Sequence, residues 1–185
     1  MPARYIVPIA CAVLALGLAA CGGGGKGGGS SSHALGEKVV VEHTEISGGA
    51  NAPTTTLGIT VLKVRKGTQQ ELKDAGFEVD AEHRSATPYY VDVSYENQGK
   101  QAIKRSLDVA LEDQDSNLIT ATTIFNFGGR KFAKCPQINE GEVVPGASYK
   151  SCTLFLVPKG KKPSKVSFLP NTPGHETQFV YWAVA

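Results

Sequence analysis

From Gly36 onward the apolar side chains recur at every second position, the period that puts them on one face of a β-strand. Val39 and Val41 open the pattern. Leu57, Ile59 and Val61 continue it, and the neighbouring Leu62 and Val64 shift its phase, as a β-bulge would. Val91, Val93 and Tyr95 alternate with Asp92, Ser94 and Glu96, after which Asn97-Gln98-Gly99-Lys100 supplies a turn. Leu107, Val109 and Leu111 alternate with Asp108, Ala110 and Glu112 before the turn-forming residues 113–117. Further strands are predicted over residues 118–127, 149–157, 165–169 and 178–184. One segment departs from this period. Thr68 and Glu71 have capping-box spacing and Gly76 can end a helix, so residues 68–75 are predicted as a short surface helix. It is too brief to cross between parallel strands, and the strand spacing is that of an all-β, antiparallel β-sandwich of about seven to nine strands.

The first twenty residues follow a different rule. A basic start at Arg4 leads into an apolar run from Tyr5 to Ala20, shorter than a spanning helix needs and followed by glycine in place of a stop-transfer charge cluster. That reads as a secretory signal peptide over residues 1–20. Its last residues with the one that follows, Leu18-Ala19-Ala20-Cys21, resemble the lipobox of bacterial lipoproteins, where cleavage precedes a cysteine whose sulfur carries diacylglycerol. Leu18 suits an apolar subsite, Ala19 and Ala20 are small enough for a peptidase groove, and only the Cys21 thiol can form the thioether. The expectation is a mature chain beginning at a lipidated Cys21 and held at the membrane by acyl chains, each buried CH₂ contributing about 0.8 kcal/mol. Residues 21–35 then form a Gly/Ser tether, since Gly22 to Ser32 offers almost no side chain to bury, with a root-mean-square reach of about 20 Å. Gly22, Gly24 and Gly27 formally match a dinucleotide-binding fingerprint, but no strand precedes them and no helix follows.

Composition narrows the class further. The chain has 185 residues, 41% hydrophobic and 19% charged, which suits one globular domain over residues 36–185. A formal charge of +2 is too small for a dedicated nucleic-acid binder, and seven of the 21 glycines lie in the tether with no collagen repeat elsewhere. Of four cysteines, Cys11 leaves with the signal peptide and Cys21 takes lipid. Cys135 and Cys152 remain as a pair in an oxidising, extracytoplasmic compartment and are expected to form a structural disulfide.

A resemblance rests on the order of several short motifs. Gly36-Glu37-Lys38 opens the domain, followed by Tyr90-Val91-Asp92-Val93-Ser94-Tyr95-Glu96-Asn97-Gln98-Gly99 and then Leu111-Glu112-Asp113. Val144-Pro145-Gly146 precedes a strand ending Phe155-Leu156-Val157-Pro158. This resembles the immunoglobulin-like domain of unknown function found in many Gram-positive lipoproteins, related to the secreted mycobacterial immunoprotective antigen. The resemblance covers roughly residues 36–185. It implies an immunoglobulin-like two-sheet sandwich outside the membrane, often without known enzymatic activity. The chain departs from that pattern in an insertion over residues 128–141, which carries Cys135, and in the helix near Glu71.

No residue set compels a chemistry. His33, His43, His83 and His175 sit in separate segments, His33 within the tether, and none has ligand spacing to another. Asp113-x-Asp115-x-Asn117 starts like a calcium loop, but Leu118 and Ile124 occupy the places of its glycine and its bidentate glutamate, so an Asx-rich hairpin turn is expected. Gly146-Ala147-Ser148 lacks the closing glycine of a nucleophile elbow, and no Ser-x-x-Lys or phosphate loop occurs. The chain is therefore read as non-catalytic, with no metal and no cofactor.

The charge distribution is the clearest asymmetry. Between residues 130 and 165 eight Lys and Arg face two Glu, and between residues 71 and 96 seven acidic residues face two basic ones. Arg130, Lys131, Lys134, Lys159, Lys161 and Lys162 are candidates for a basic binding patch, while charged loops also serve solubility. The functional expectation is a module anchored to the cell membrane by lipid, binding a protein or an anionic envelope polymer through its loops. The alternative is a carrier of a small ligand or metal in a pocket between the sheets.

Anchoring through Cys21 has a direct test. Cys21→Ser removes the nucleophile for lipid transfer and is expected to move the protein out of the detergent phase, with the acyl increment lost from its intact mass. Equal partitioning of the two proteins would remove the lipoprotein assignment.

Overall fold

A computed structural model describes residues 32–45, 52, 54–105, 107–122, 132–136, 141–172 and 178–185. The signal peptide, Cys21, most of the tether, Arg130, Lys131, His175 and the latter part of the strand expected over 118–127 lie outside the described residues. Within them the two-residue period becomes β1 (Lys38–Thr44), β2 (Thr54–Lys66), β3 (Thr87–Asn97), β4 (Ile103–Lys104), β5 (Ala110–Asp113), β6 (Leu118–Ile119), β7 (Glu142–Val143), β8 (Ser148–Val157), β9 (Pro163–Phe168) and β10 (Val180–Ala183). Two four-stranded sheets form, ordered β1-β2-β3-β8 and β10-β9-β5-β6, with β4 and β7 as a separate pair. All named pairings are antiparallel. The chain is an all-β, antiparallel β-sandwich with one short helix.

The inward residues follow the alternation. Leu57, Ile59 and Val61 of β2 meet Val91, Val93 and Tyr95 of β3 and Phe155 and Val157 of β8. From the second sheet come Leu111, Val166, Phe168 and the fully buried Trp182. The phase change at Leu62 is a bulge: the β2–β3 register shifts between Val61 and Lys63, which keeps Val64 against the core and turns Lys63 and Arg65 toward Asp92 and Tyr90. The helix α1 runs Gln69–Asp74 with the reciprocal Thr68–Glu71 capping box in place, and Gly76 follows at φ +82°.

Three differences from the sequence reading have local causes. Leu107 and Val109 are buried, yet the strand begins at Ala110, so their alternation marks burial without ladder hydrogen bonds. β4 and β7 contribute two residues each, too few for any period to register, and they raise the strand number to ten among the described residues. His33 does not trail free of the domain. Its N–H donates to Tyr181 O at 2.8 Å and its carbonyl accepts from Ala183 N at 2.9 Å, a parallel bridge to β10 that starts the folded framework before Gly36.

Asn97 ties one end of the sandwich together. Fully buried, its Oδ1 accepts from Thr55 Oγ1 at 2.7 Å and from Gly99 N at 3.1 Å. Its Nδ2 donates to the carbonyls of Gln101 and Val143 at 2.7 and 2.8 Å. Gly99 fits because a Cβ there would stand 1.9 Å from Thr55 Oγ1 and 3.2 Å from Thr55 Cα. Asn97→Ala leaves several of these groups unpartnered and is expected to cost about 3 kcal/mol in urea unfolding. Gly99→Ala, which overpacks the same spot, is expected to cost about 2 kcal/mol. Stabilities within experimental error of wild type would show that the network contributes nothing net.

Candidate functional site

The outer face of the β1-β2-β3-β8 sheet carries a second apolar cluster. On β8 the outward residues are Cys152, Leu154 and Leu156, and on β3 Tyr90. Leu72 of α1, Ala86, Phe132 and Cys135 cover them. The Phe132 ring stands edge-on to Phe77 with centroids 5.4 Å apart. The Sγ atoms of Cys135 and Cys152 lie at disulfide distance, 1.94 Å, with the Cα atoms 5.1 Å apart. The inserted chain is thereby held against the middle of β8.

Arg65 adds a polar clamp to the same place. Its Nε donates to Asp92 Oδ2 at 2.8 Å and its Nη2 to Asp92 Oδ1 at 3.0 Å, a two-pronged pairing that fits the planar guanidinium. Nη2 also donates to the carbonyl of Lys134 at 2.7 Å, and the guanidinium lies 5.2 Å from the Tyr90 ring centre. Lys134 pairs in turn with Glu71, whose carboxylate accepts from the Tyr90 hydroxyl at 3.3 Å. The Lys134 ammonium holds the Glu71 carboxyl below the usual carboxylate range, with smaller help from the Thr68 N–H. Burial pushes the Tyr90 phenol up to about 12, with Glu71 acting in the same direction. Arg65 was not singled out in the sequence. Only its parity after the bulge, two residues beyond Lys63, would have placed it on the same face as Asp92 of β3, diagonal to it.

The second basic feature is the turn from β8 into β9. Lys159 and Lys162 are exposed there, and Gly160 takes φ +83°. Lys161 pairs with Asp115, which raises its ammonium above the ordinary value. Lys162 N donates to Gln114 Oε1 at 2.6 Å, and its carbonyl accepts from Gln114 N at 3.0 Å. This turn is therefore docked on the 113–117 turn of the other sheet. Asp113 organises that turn by accepting from the N–H groups of Asp115 and Asn117 at 2.8 and 2.9 Å and from the Asn117 amide. Ser116 sits at φ +63°. These hydrogen bonds, Asn117 first, hold the Asp113 carboxyl below its ordinary value. The expected Asx hairpin turn is present, with the carboxylate's acceptors turned to its own main chain.

Of the six candidate patch residues, Lys134 lies beside the middle of β8 and is ion-paired, while Lys159, Lys161 and Lys162 lie beyond its end. Arg130 and Lys131 are outside the described residues. The acidic segment is likewise partly matched at home: Glu71 by Lys134, Asp92 by Arg65 and Lys63, and Glu96 by Lys38. His33 hydrogen-bonds Glu37, and His43 is buried against Phe168. Among the described residues no group of three or more His, Cys, Asp or Glu is placed to hold a metal ion, and no helix is long and apolar enough to cross a membrane.

Five aromatic rings lie among the buried residues between the sheets. Tyr95 stacks on Tyr149 with centroids 5.1 Å apart, Phe168 stands 6.4 Å from Tyr95, and Phe155 and Trp182 are fully buried. Burial pushes both tyrosine hydroxyls well above their ordinary range.

No protein-family profile and no curated protein matches this sequence. Solved structures do match its fold. MPT63, a secreted protein from Mycobacterium tuberculosis, aligns with TM-score 0.51 and 11% identity over 85% of this chain and 99% of its own. The yjhA protein from Bacillus subtilis aligns with TM-score 0.51 and 15% identity over 83% and 99%. An uncharacterized β-sandwich protein from Clostridium difficile 630 covers 88% of this chain at 12% identity and TM-score 0.45.

The clamp gives a comparison between two cations on one acid. Arg65→Met removes the bidentate partner of Asp92 and the donor to Lys134 O, and is expected to cost about 2 kcal/mol in urea unfolding. Lys63, with its side chain 62% exposed and 3.6 Å from Asp92, is expected to cost less than about 0.5 kcal/mol when changed to Met. Equal losses would show that the guanidinium geometry is not what holds the insertion.

Proposed function

We propose that this chain is an extracytoplasmic, lipid-anchored, non-catalytic immunoglobulin-like module that binds an anionic envelope polymer or a protein through its loops. The observation that carries the proposal is where its chemistry-bearing residues are used. Asp113, Glu71, Asp92 and Asn97 spend their hydrogen bonds on turns, caps and the clamp, and aliphatic and aromatic side chains are packed together between the sheets. Lys159 and Lys162 are exposed and in no ion pair among the described residues, and unlike other exposed lysines they sit on a turn that hydrogen bonds to Gln114 fix in place.

Three further points support the reading. The apolar run ending at Leu18-Ala19-Ala20-Cys21 suits export and lipid attachment. Cys135 and Cys152 at disulfide distance suit an oxidising compartment, where the bond would close a loop worth about 3 kcal/mol. MPT63, of the same fold, is a secreted protein. On this reading the chain is a relative of the immunoglobulin-like lipoprotein domains that its motifs resemble.

The turn is tested by binding. Association of the full chain with teichoic-acid-like polymer or anionic vesicles is expected to weaken several-fold when Lys159, Lys161 and Lys162 are changed together to Gln, and to weaken as salt is raised. Binding that is unaffected by both changes, or absent at low salt, would return these lysines to a role in solubility.

A further inference from the structure

The edge strand β1 holds a buried histidine whose Nδ1 is used as a hydrogen-bond acceptor. His43 is 6% exposed, its ring lies 5.7 Å from that of Phe168, and it pairs across the sheet with Thr55 of β2. Its Nδ1 accepts a hydrogen bond from the main-chain N–H of Asn171 at 3.2 Å. Three more bonds join the same two stretches of chain. Thr44 N donates to Asn171 O at 2.7 Å, Asn171 Nδ2 donates to Thr44 O at 2.8 Å, and Thr172 Oγ1 donates to Glu42 O at 3.3 Å. The chain leaving β9 thus covers the free edge of β1 and ties one sheet to the other.

The geometry points to a proton-operated latch, in which protonation of His43 releases Asn171 and Thr172 from β1 and uncovers that edge. A proton on Nδ1 turns the acceptor into a donor aimed at the Asn171 N–H, and the new charge sits where water does not reach it. Both act directly on the Asn171 N–H bond, and the other three bonds hold the same short segment.

The groups around the ring decide the direction. Among the described residues Glu45, one position past the end of β1, is the charged group that acts on it and favours the imidazolium, but its carboxylate is engaged by the main-chain N–H of Lys104. β2 presents Thr55, β9 presents Phe168, and the covering segment presents Asn171 and Thr172, none of which titrates. Burial outweighs Glu45 and lowers the His43 pKa from its ordinary value. The folded state therefore binds fewer protons than the unfolded chain. The latch is whole above about pH 6.5, the unperturbed imidazole value, and is lost as the pH falls through the lower folded-state value.

Amide exchange resolved by residue on the full chain, expressed as protection factors so that the intrinsic pH dependence drops out, reads the latch directly. Between pH 7.5 and the acid side of the His43 ring titration, protection at Thr44 and Asn171 is expected to fall about fivefold, the equivalent of one hydrogen bond. Val91 and Val93 in the central strand should hold theirs. His43→Gln keeps an acceptor that cannot take a proton, and its protection at Asn171 is expected to stay level across the range. If that variant does not fold, titration of the His43 ring in the wild type serves instead. A midpoint below about 6.5 that coincides with the loss of protection supports the latch. A His43 that titrates at or above that value, protection at Asn171 that survives protonation, or a His43→Gln protein with the same pH response as wild type would each overturn it.

Discussion

A buried carboxamide that must satisfy every one of its polar atoms sets the geometry of this sandwich. Asn97 has two acceptor sites and two donor hydrogens, and all four are matched by groups from different parts of the chain: Thr55 of β2, Gly99 of the following turn, Gln101 beyond it, and Val143 of β7. The main chain at Asn97 closes the arrangement, with its N–H on Ala147 O and its carbonyl accepting from Gly146 N. An unmatched amide in this interior would cost more than any one of these bonds contributes. The strand end, the turn and the approach to β8 are therefore fixed together or not at all. This gives a physical reason for the run Tyr95 to Gly99: Tyr95 stacks in the core, Asn97 is the hub, and Gly99 leaves room for Thr55.

The two sheets are also joined along both of their sides. On one side the segment from His33 to Glu37 bonds to β10 and then feeds β1, and the Trp182 indole N–H donates to Glu37 O at 3.0 Å. On the other, the chain after β6 crosses over, and Thr122 N donates to Leu154 O of β8 at 2.8 Å. Short segments that change sheets in this way protect edges that would otherwise offer unpaired N–H and C=O groups to another chain. The clamp around Arg65 does a different task. It fastens an insertion to the outside of the sheet, where a small apolar cluster alone would bury little area.

How much of this was legible depended on whether the cause was local. The alternation of Val91, Val93 and Tyr95, the bulge at Leu62 and the Thr68–Glu71 cap are contained within a few residues, and each appears where the sequence places it. β4 and β7 are not, because a two-residue strand exists only through its partner forty residues away. His33 reads as tether because glycine and serine precede it, but its main chain is captured by a strand 149 residues later. For the lysines the sequence left open whether they share a surface. Counting charge along the chain made Lys134 and Lys159 candidates for one patch, while the fold pairs Lys134 with Glu71 and leaves Lys159 exposed on another turn.

The parallel bridge at His33 determines how the domain would carry a mechanical load. A pull arriving through the chain before Ser32 reaches the fold at two hydrogen bonds, His33 N to Tyr181 O and Ala183 N to His33 O. Directed along β10 it loads both in shear, and directed across the strand it loads them one after the other. Behind them stands Trp182, fully buried and bonded to Glu37, so failure of the bridge would begin to draw the largest ring out of the core. Under tension the lifetime of the fold is set by its unfolding rate and not by its equilibrium stability, and the bonds of His33 are the first that such a pull would load.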